Sequence, residues 1–415
     1  MHSQINRWVT FFSLFILLIG TSSCLKDKIT KTYTIYTPVL KARAEVLAGI
    51  NSDKPTSIVD PGKIYVYGNY IFLNELNKGV HIIDNTNPAT PVNKFFVSIP
   101  GNIDIAVKGS TLYADMFTDL LAIDISDPLN VKLTNVERHV FPERNYANGM
   151  MVDSAMVITD WIKKDTTVEE VGDMNPVPIC RVCLFAMADA SNKSATIGVA
   201  GSMARFSIVN DILYAVNGYN LYSFKLTDPA HPLLVNTTNA GWNIETIYPF
   251  KDRLFLGASA GMFIFNISDP VAPQRTGVFT HATACDPVVA NDDYAYVTLR
   301  GGNFCQSNVN QLDVVDIKNL SQPQLIKTYP MKNPYGLAVD GNYVFVCDGI
   351  DGLKVYDATD PNGLKQIGHL EGMETYDVIA YNKRLIVVTK TALEQFDYSN
   401  INNIRSISRI NKSAN

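Results

Sequence analysis

The sequence predicts an all-β fold: a single closed β-propeller of eight four-stranded blades, with seven blades as the alternative. Three observations predict it. One phrase recurs along the chain, as IIDNTNPATP at 82–91, AIDISDPLNV at 122–131, SFKLTDPAHP at 223–232, FNISDPVAPQ at 265–274, VVDIKNLSQP at 314–323 and VYDATDPNGL at 355–364. Aligned on Asp84, Asp124, Ala186, Lys225, Asn266, Asp316, Asp357 and Asp397, the units are 40, 62, 39, 41, 50, 41 and 40 residues apart. Each interval also holds several short strand-like runs, and a period of about 40–45 residues with several strands per repeat is that of propeller blades.

The elements follow in chain order. The first residues, MHSQINRWVTFFSLFILLIGTSSC, carry Arg7, an apolar run from Trp8 to Ile19 and small residues before Cys24. This is the pattern of a secretory signal, and the apolar run is too short for a comfortable membrane span. Thr21-Ser22-Ser23 before a cysteine resembles a bacterial lipoprotein cleavage site, so residues 1–23 are expected to be removed and Cys24 lipidated. Leu25 follows where an inner-membrane retention signal would place Asp, and Lys26-Asp27 resembles the start of a tag for surface export. The expected address is the outer membrane of a Gram-negative bacterium, lipid-anchored and facing the cell surface. Residues 24–60 are expected to form a tether and a lead-in packed on the first blade, and residues 61–411 the propeller.

Residues 335–370 display the repeating unit most plainly. Four strand-like runs, GLAV, YVFVC, LKVYD and LKQIGHL, are separated by DG, DGIDG and ATDPNG. Asp-Gly supplies the positive φ of a tight hairpin turn, and Asp-Pro ends a strand because proline has no N–H for the ladder. The second run returns as YIFLN, TLYAD, AMVIT, ILYAV, RLFLG, YAYVT, YVFVC and RLIVV. Near-continuous apolar runs suit central strands covered on both faces, and a ring of blades covers those faces while leaving only short edges. The third of these eight units is divergent: its turn has decayed to MADASN, and reading it as an insertion leaves seven blades. The repeated Asp-Pro phrase is therefore a turn that every blade needs, with no catalytic or metal-binding role.

The strings GVHIIDNTNPATP, LLAIDISDP, GLKVYDATDP and YAYVTLRGG resemble those of the LVIVD-repeat β-propeller lipoproteins, over essentially the whole chain after Cys24. The resemblance implies a secreted or lipid-anchored propeller and assigns no chemistry.

Function is expected on one face. In a blade running outward from the axis, the loops between strands two and three share a face with the blade-to-blade links, and the Asp-Pro turns lie opposite. Both long insertions, 161–180 in the third unit and 299–311 in the sixth, are placed on the first face, where one-sided insertions on repeat scaffolds carry binding sites. Polar residues opening the first strands are expected to ring the channel mouth there. The candidate ligand-binding residues are Asp104, Asn148, Arg205, Glu245, His281, Asp286, Arg300 and Tyr335, with Asn102, Asn243, Asn333 and Asp377 beside them. Carboxylates, amides and aromatics suit a sugar, a peptide or Ca²⁺, although the same residues could simply solvate the channel.

Cysteine usage fits a secreted address. A Cys285–Cys305 disulfide would close a loop of about twenty residues and stabilise the fold by roughly 3 kcal/mol. Cys180-Arg-Val-Cys183 is read as a local bridge or buried thiol pair, because no second ligand pair accompanies it, and Cys347 as a core thiol. The formal net charge is -5 with no basic block, which argues against nucleic acid as a partner. No GxSxG, HExxH, P-loop or dinucleotide fingerprint occurs. No cofactor is expected, with Ca²⁺ as the one candidate. The reading is a surface lipoprotein whose propeller is a non-enzymatic binding scaffold for a glycan, peptide or protein. The alternative is a hydrolase or lyase acting on an extracellular carbohydrate or lactone.

Overall fold

In the computed structural model the described residues are 28–144, 146–147, 150–151, 155–171, 199–200, 202–281, 287–302 and 309–413. Seven antiparallel four-stranded sheets follow one another along the chain, at 61–98, 105–137, 206–239, 244–280, 288–330, 337–370 and 375–411. These are blades one to seven. The first strands of successive blades contact one another around the axis, and buried side chains of adjacent blades pack face to face.

The blade count is therefore seven and not eight. The run AMVIT, read as the central strand of a third unit, opens a 16-residue strand, Met156–Val171, that belongs to no blade. It pairs antiparallel with Lys28–Ala42 in a long two-stranded ribbon. Apolar content alone made AMVIT look like a blade strand; its pairing partner is the segment Leu40–Ala42, far earlier in the chain, which no local pattern reveals. Residues 161–180 are accordingly not an insertion within a blade. They start in the ribbon, and 172–198 lie outside the described residues.

Six of the seven blades repeat one set of local devices, and blade three ends its third strand with Lys225 instead. The Asp or Asn ending the third strand accepts the backbone N–H two residues on: Asp84 from Thr86, Asp124 from Ser126, Asn266 from Ser268, Asp316 from Lys318, Asp357 from Thr359 and Asp397 from Ser399. A second such turn follows at once, for example Asp127 to Leu129 and Asp269 to Val271. Proline at the next position supplies the fixed φ that this turn requires. The carboxyls of Asp84, Asp124, Asp316, Asp357 and Asp397 are held below their usual range by hydrogen bonds from these turns.

The same turns join neighbouring blades. The phenol of Tyr113, in the second strand of blade two, donates to the carbonyl of Pro229 in the blade-three turn at 2.8 Å. Tyr214 does the same to Pro270 of blade four at 2.6 Å. The ring closes between blades one and seven by packing of Ile64, Ile71 and Leu73 against Ile379, Ile386 and Val388. A reciprocal amide pair adds to it: Gln395 donates to Asn85 at 2.8 Å and Asn85 to Gln395 at 3.1 Å.

The root of the ribbon is fixed to the body. Trp161 packs against a core that runs through blades one to three, with Val157 and Ile158 buried in it. The short helix Arg43–Ala48 follows the first ribbon strand, and Arg43 forms an ion pair with the fully buried Asp119, which opens the third strand of blade two. From there the lead-in crosses the outside of the ring. Ser52 donates to the carbonyl of Pro128 in the blade-two turn, and Asp53 bridges Phe96 on the outer strand of blade one.

Candidate functional site

Acidic residues at the ends of second strands are occupied by the fold itself. The Glu75 carboxylate accepts from the N–H groups of Val59 and Asp60 and meets the His81 ring at 3.1 Å. Asp115 accepts from Ile103 and Asp104, and Asp348 from Lys332 and Asn333. In each case the link entering a blade bends across the end of its own second strand, and its N–H groups would otherwise be buried without partners. Glu75 is held below its usual range by these bonds in spite of its burial. Arg144 pairs with Asp115, and Lys354 reaches Asp348 at 2.5 Å and Asp351 at 2.7 Å. These acids organise backbone and are spoken for.

The axis is occupied by the chain. Val199–Ala200 add a fifth strand to blade one on its axial edge, against Tyr65 and Val66, and touch the first strand of blade seven. Ser202, Met203 and Ala204 are buried beyond it. Ser202 Oγ accepts from the N–H of Leu337 in blade six, and Lys63 Nζ donates to the carbonyl of Met203 at 2.8 Å. Asp104 sits in this knot. Its carboxylate accepts from the N–H of Arg205 at 2.6 Å and from that of Ile105, and lies 3.7 Å from Lys63 Nζ. Burial pushes the Asp104 carboxyl up to about 6, against the pull of Lys63 and the backbone donors. Asp104 and Arg205 are thus brought together, as structural partners of the axial segment.

A different arrangement lies where blades five, six and seven meet on the face of the two–three loops. The Arg300 guanidinium lies 4.1 Å from the centroid of the Tyr335 ring, and Tyr376 meets that ring edge-on at 5.0 Å. Asn333 donates to the Tyr335 phenol at 3.3 Å, and Thr298 to the Tyr335 carbonyl at 2.7 Å. The Tyr376 phenol donates to Glu374 at 2.8 Å, and Lys390 pairs with Glu374 at 2.7 Å. Among the described residues no carboxylate or carbonyl takes the N–H fork of Arg300. The ring holds the guanidinium through a cation–π contact, which leaves its N–H donors for an acceptor brought from outside. On the same face, Trp242 of the link from blade three to blade four and Tyr219 of the two–three loop of blade three are 62% and 55% exposed. Their backbones are tied together, with Gly241 donating to the Tyr219 carbonyl.

The remaining candidates are dispersed. Glu245 is half-buried in the first strand of blade four. His281 is half-buried near Asp313, whose carboxyl is raised by burial and lowered in part by Thr328, Gln311 and His281. Asn102 is buried and donates to Asp115 at 2.8 Å, and Asp377 is buried at the start of blade seven. Asn148 and Asp286 lie outside the described residues, as do Cys24, Cys180, Cys183 and the Cys285–Cys305 pair. Cys347 is fully buried at the end of its strand. Among the described residues no three His, Cys, Asp or Glu side chains gather as a metal site. Sequence reasoning did not single out Lys63, Tyr376 or Trp242. The first had a signal: a lone lysine directly before the apolar run IYVY, in the same strand, is a charge in need of a partner once the strand is buried.

The LVIVD-repeat family model matches residues 60–98, 102–135, 283–330 and 335–368, the segments of blades one, two, five and six. No curated protein matches the chain. Among solved structures, the periplasmic gluconolactonase PpgL of Pseudomonas aeruginosa is similar at a TM-score of 0.51 and 9% identity, over 88% of this chain and 97% of that one. A protein from Lactobacillus plantarum gives 0.52 at 12% identity, over 85% and 96%. BamB from Moraxella catarrhalis gives 0.50 at 8% identity, again over 85% and 96%. At such identities the likeness is one of fold. By its repeats and its ring, this chain is a seven-bladed β-propeller that carries four LVIVD repeats.

Proposed function

We propose that the protein is a lipid-anchored propeller of the outer membrane, facing outward, whose loop-rich face is a non-enzymatic binding scaffold for a glycan, peptide or partner protein. The observation that carries the binding part is the guanidinium of Arg300 over Tyr335, which has no acid or carbonyl partner among the described residues, on a face that also exposes Trp242 and Tyr219. An aromatic-backed arginine with a vacant donor fork is a recognition element for a planar acid such as a carboxylate. The acids at the ends of the second strands of blades one, two and six are engaged by backbone donors, which suits a scaffold better than acid–base chemistry at those positions. The address rests on the sequence around Cys24.

Protease digestion of intact cells tests the address. The expected result is degradation of the wild-type protein on whole cells and protection of a Cys24→Ala variant until lysis. Protection of both until lysis would place the protein inside the envelope and overturn the outward orientation. A glycan and peptide array tests the binding part, with loss of signal expected in Arg300→Ala. Turnover of a lactone or polysaccharide by the wild type, abolished in Glu245→Ala, would replace the scaffold with a hydrolase or lyase.

A further inference from the structure

The ribbon is the part of the molecule that the propeller does not explain. Beyond its root, residues 32–37 and 162–167 are largely exposed on both faces. A two-stranded ribbon standing alone in water is marginally stable at best, so a surface to lie on would account for its length. Period-two alternation and the register divide its side chains. Tyr33, Ile35 and Thr37 share one face with their partners Thr166, Lys164 and Ile162, and Thr34 and Tyr36 share the other with Asp165 and Lys163. On the first face Tyr33, Ile35 and Ile162 are 45%, 50% and 59% exposed, and no acid lies among them. The second face is polar: Thr34 donates to Asp165 at 2.7 Å, and Lys163 sits over the Tyr36 ring. The apolar face ends toward the body at Asp160, which pairs with Val39 in the ladder and approaches Lys78 of blade one at 4.0 Å.

One tyrosine, two isoleucines and a lysine on one face form the amphipathic set found at the membrane–water interface, where rings and alkyl groups enter the acyl boundary and an amine reaches back to phosphates. Only Leu25, Lys26 and Asp27 separate Cys24 from Lys28, where the ribbon starts. At full extension the four residue steps from Cys24 to Lys28 span roughly 14 Å. We infer that the exposed stretch of the ribbon, 32–37 with 162–167, lies flat on the bilayer, with Tyr33, Ile35 and Ile162 in the headgroup layer, and so fixes the angle at which the propeller stands on the membrane. The inference rests on acylation of Cys24, the anchor proposed above.

The test uses the full-length protein purified from its membrane, with acylation checked by intact mass, in phosphatidylethanolamine–phosphatidylglycerol vesicles containing brominated lipid. Ile35→Trp and Thr34→Trp place a fluorophore on opposite faces of the ribbon. Ile35→Trp is expected to gain an emission component quenched at least twofold by the brominated lipid, and Thr34→Trp to gain none. Quenching of neither, or of both alike, in acylated protein overturns the inference. A ribbon-to-ribbon cross-link between two protomers with Ile35→Trp unquenched also overturns it, in favour of a second copy as the occupant. Absence of the acyl group from Cys24 removes the anchor and this inference together, and the mass spectrum separates that failure from the others. A Tyr33→Ser, Ile35→Ser, Ile162→Ser variant, altered only at exposed positions, should keep its acyl group and yet be cleaved by trypsin after Lys164 about tenfold faster on vesicles. An unchanged cleavage rate would count against contact of this face with lipid.

Discussion

Asp104 is a carboxyl whose ionisation is shaped by the fold. Its pKa is raised from 3.8 to about 6 by burial, with Lys63 and two backbone donors opposing the shift. A raised acid favours the fold when protonated, so its contribution to stability is full below about pH 4 and is lost as pH rises through 6. About two pKa units correspond to roughly 3 kcal/mol. Wild type should therefore lose about that much relative to Asp104→Asn between about pH 4 and pH 7, read from urea midpoints at the two pH values. An unchanged difference would show that Asp104 is solvated. Nearby, Gly336 has no room for a side chain: a Cβ would stand 2.2 Å from Asp377 Oδ1. Gly336→Ala should lower stability by about 1–3 kcal/mol, the usual effect of overpacking, measured by thermal unfolding.

At the scale of the element, the Asp-Pro turn does two things, and each can be removed alone. Within a blade, its Asp side chain satisfies backbone N–H groups; between blades, its proline carbonyl receives a tyrosine from the preceding blade. Tyr113→Phe keeps the ring in the core and leaves the Pro229 carbonyl without this donor. A loss of about 1 kcal/mol is expected, the usual net worth of one hydrogen bond, with no change in the circular dichroism of the strands. The second-strand aromatic and the following turn were both visible in the repeat. Their contact was not, because it joins residues 116 positions apart. The acids of the second strands show the same gap: TLYAD and VFVCD announce a carboxylate at a strand end, but only the bend of the incoming link reveals that Asp115 and Asp348 serve its N–H groups.

At the scale of the whole molecule, seven blades packed on one another make a ring from which one ribbon emerges. Central blade strands are buried on both faces and the ribbon beyond its root on neither, so local opening should be concentrated in the ribbon. Limited trypsin digestion of detergent-solubilised protein should cut first within Lys28–Ala42 or Met156–Val171 and leave a propeller whose blades resist further cleavage. First cuts within the blades would contradict this division. The ribbon root is the exception, since Arg43 pairs with the buried Asp119. Arg43→Met would leave that carboxylate buried without its cation, at a cost of about 3–5 kcal/mol, seen as a lowered unfolding midpoint.

The sequence by itself determined the blade, its four strands, its turns and the period of about 40 residues, because each of these depends on neighbours within the repeat. Residues 28–42 it placed within a tether and lead-in, with no strand and no partner. Only the tertiary structure decided that AMVIT joins Lys28–Ala42 and not a blade, that Val199–Ala200 take the axial edge of blade one, and that Arg300 lies on Tyr335. The physical reason is the same each time. A strand's apolar pattern says that it must be covered, and which segment covers it is settled by packing across the ring, where residues far apart in the chain compete for the same edge.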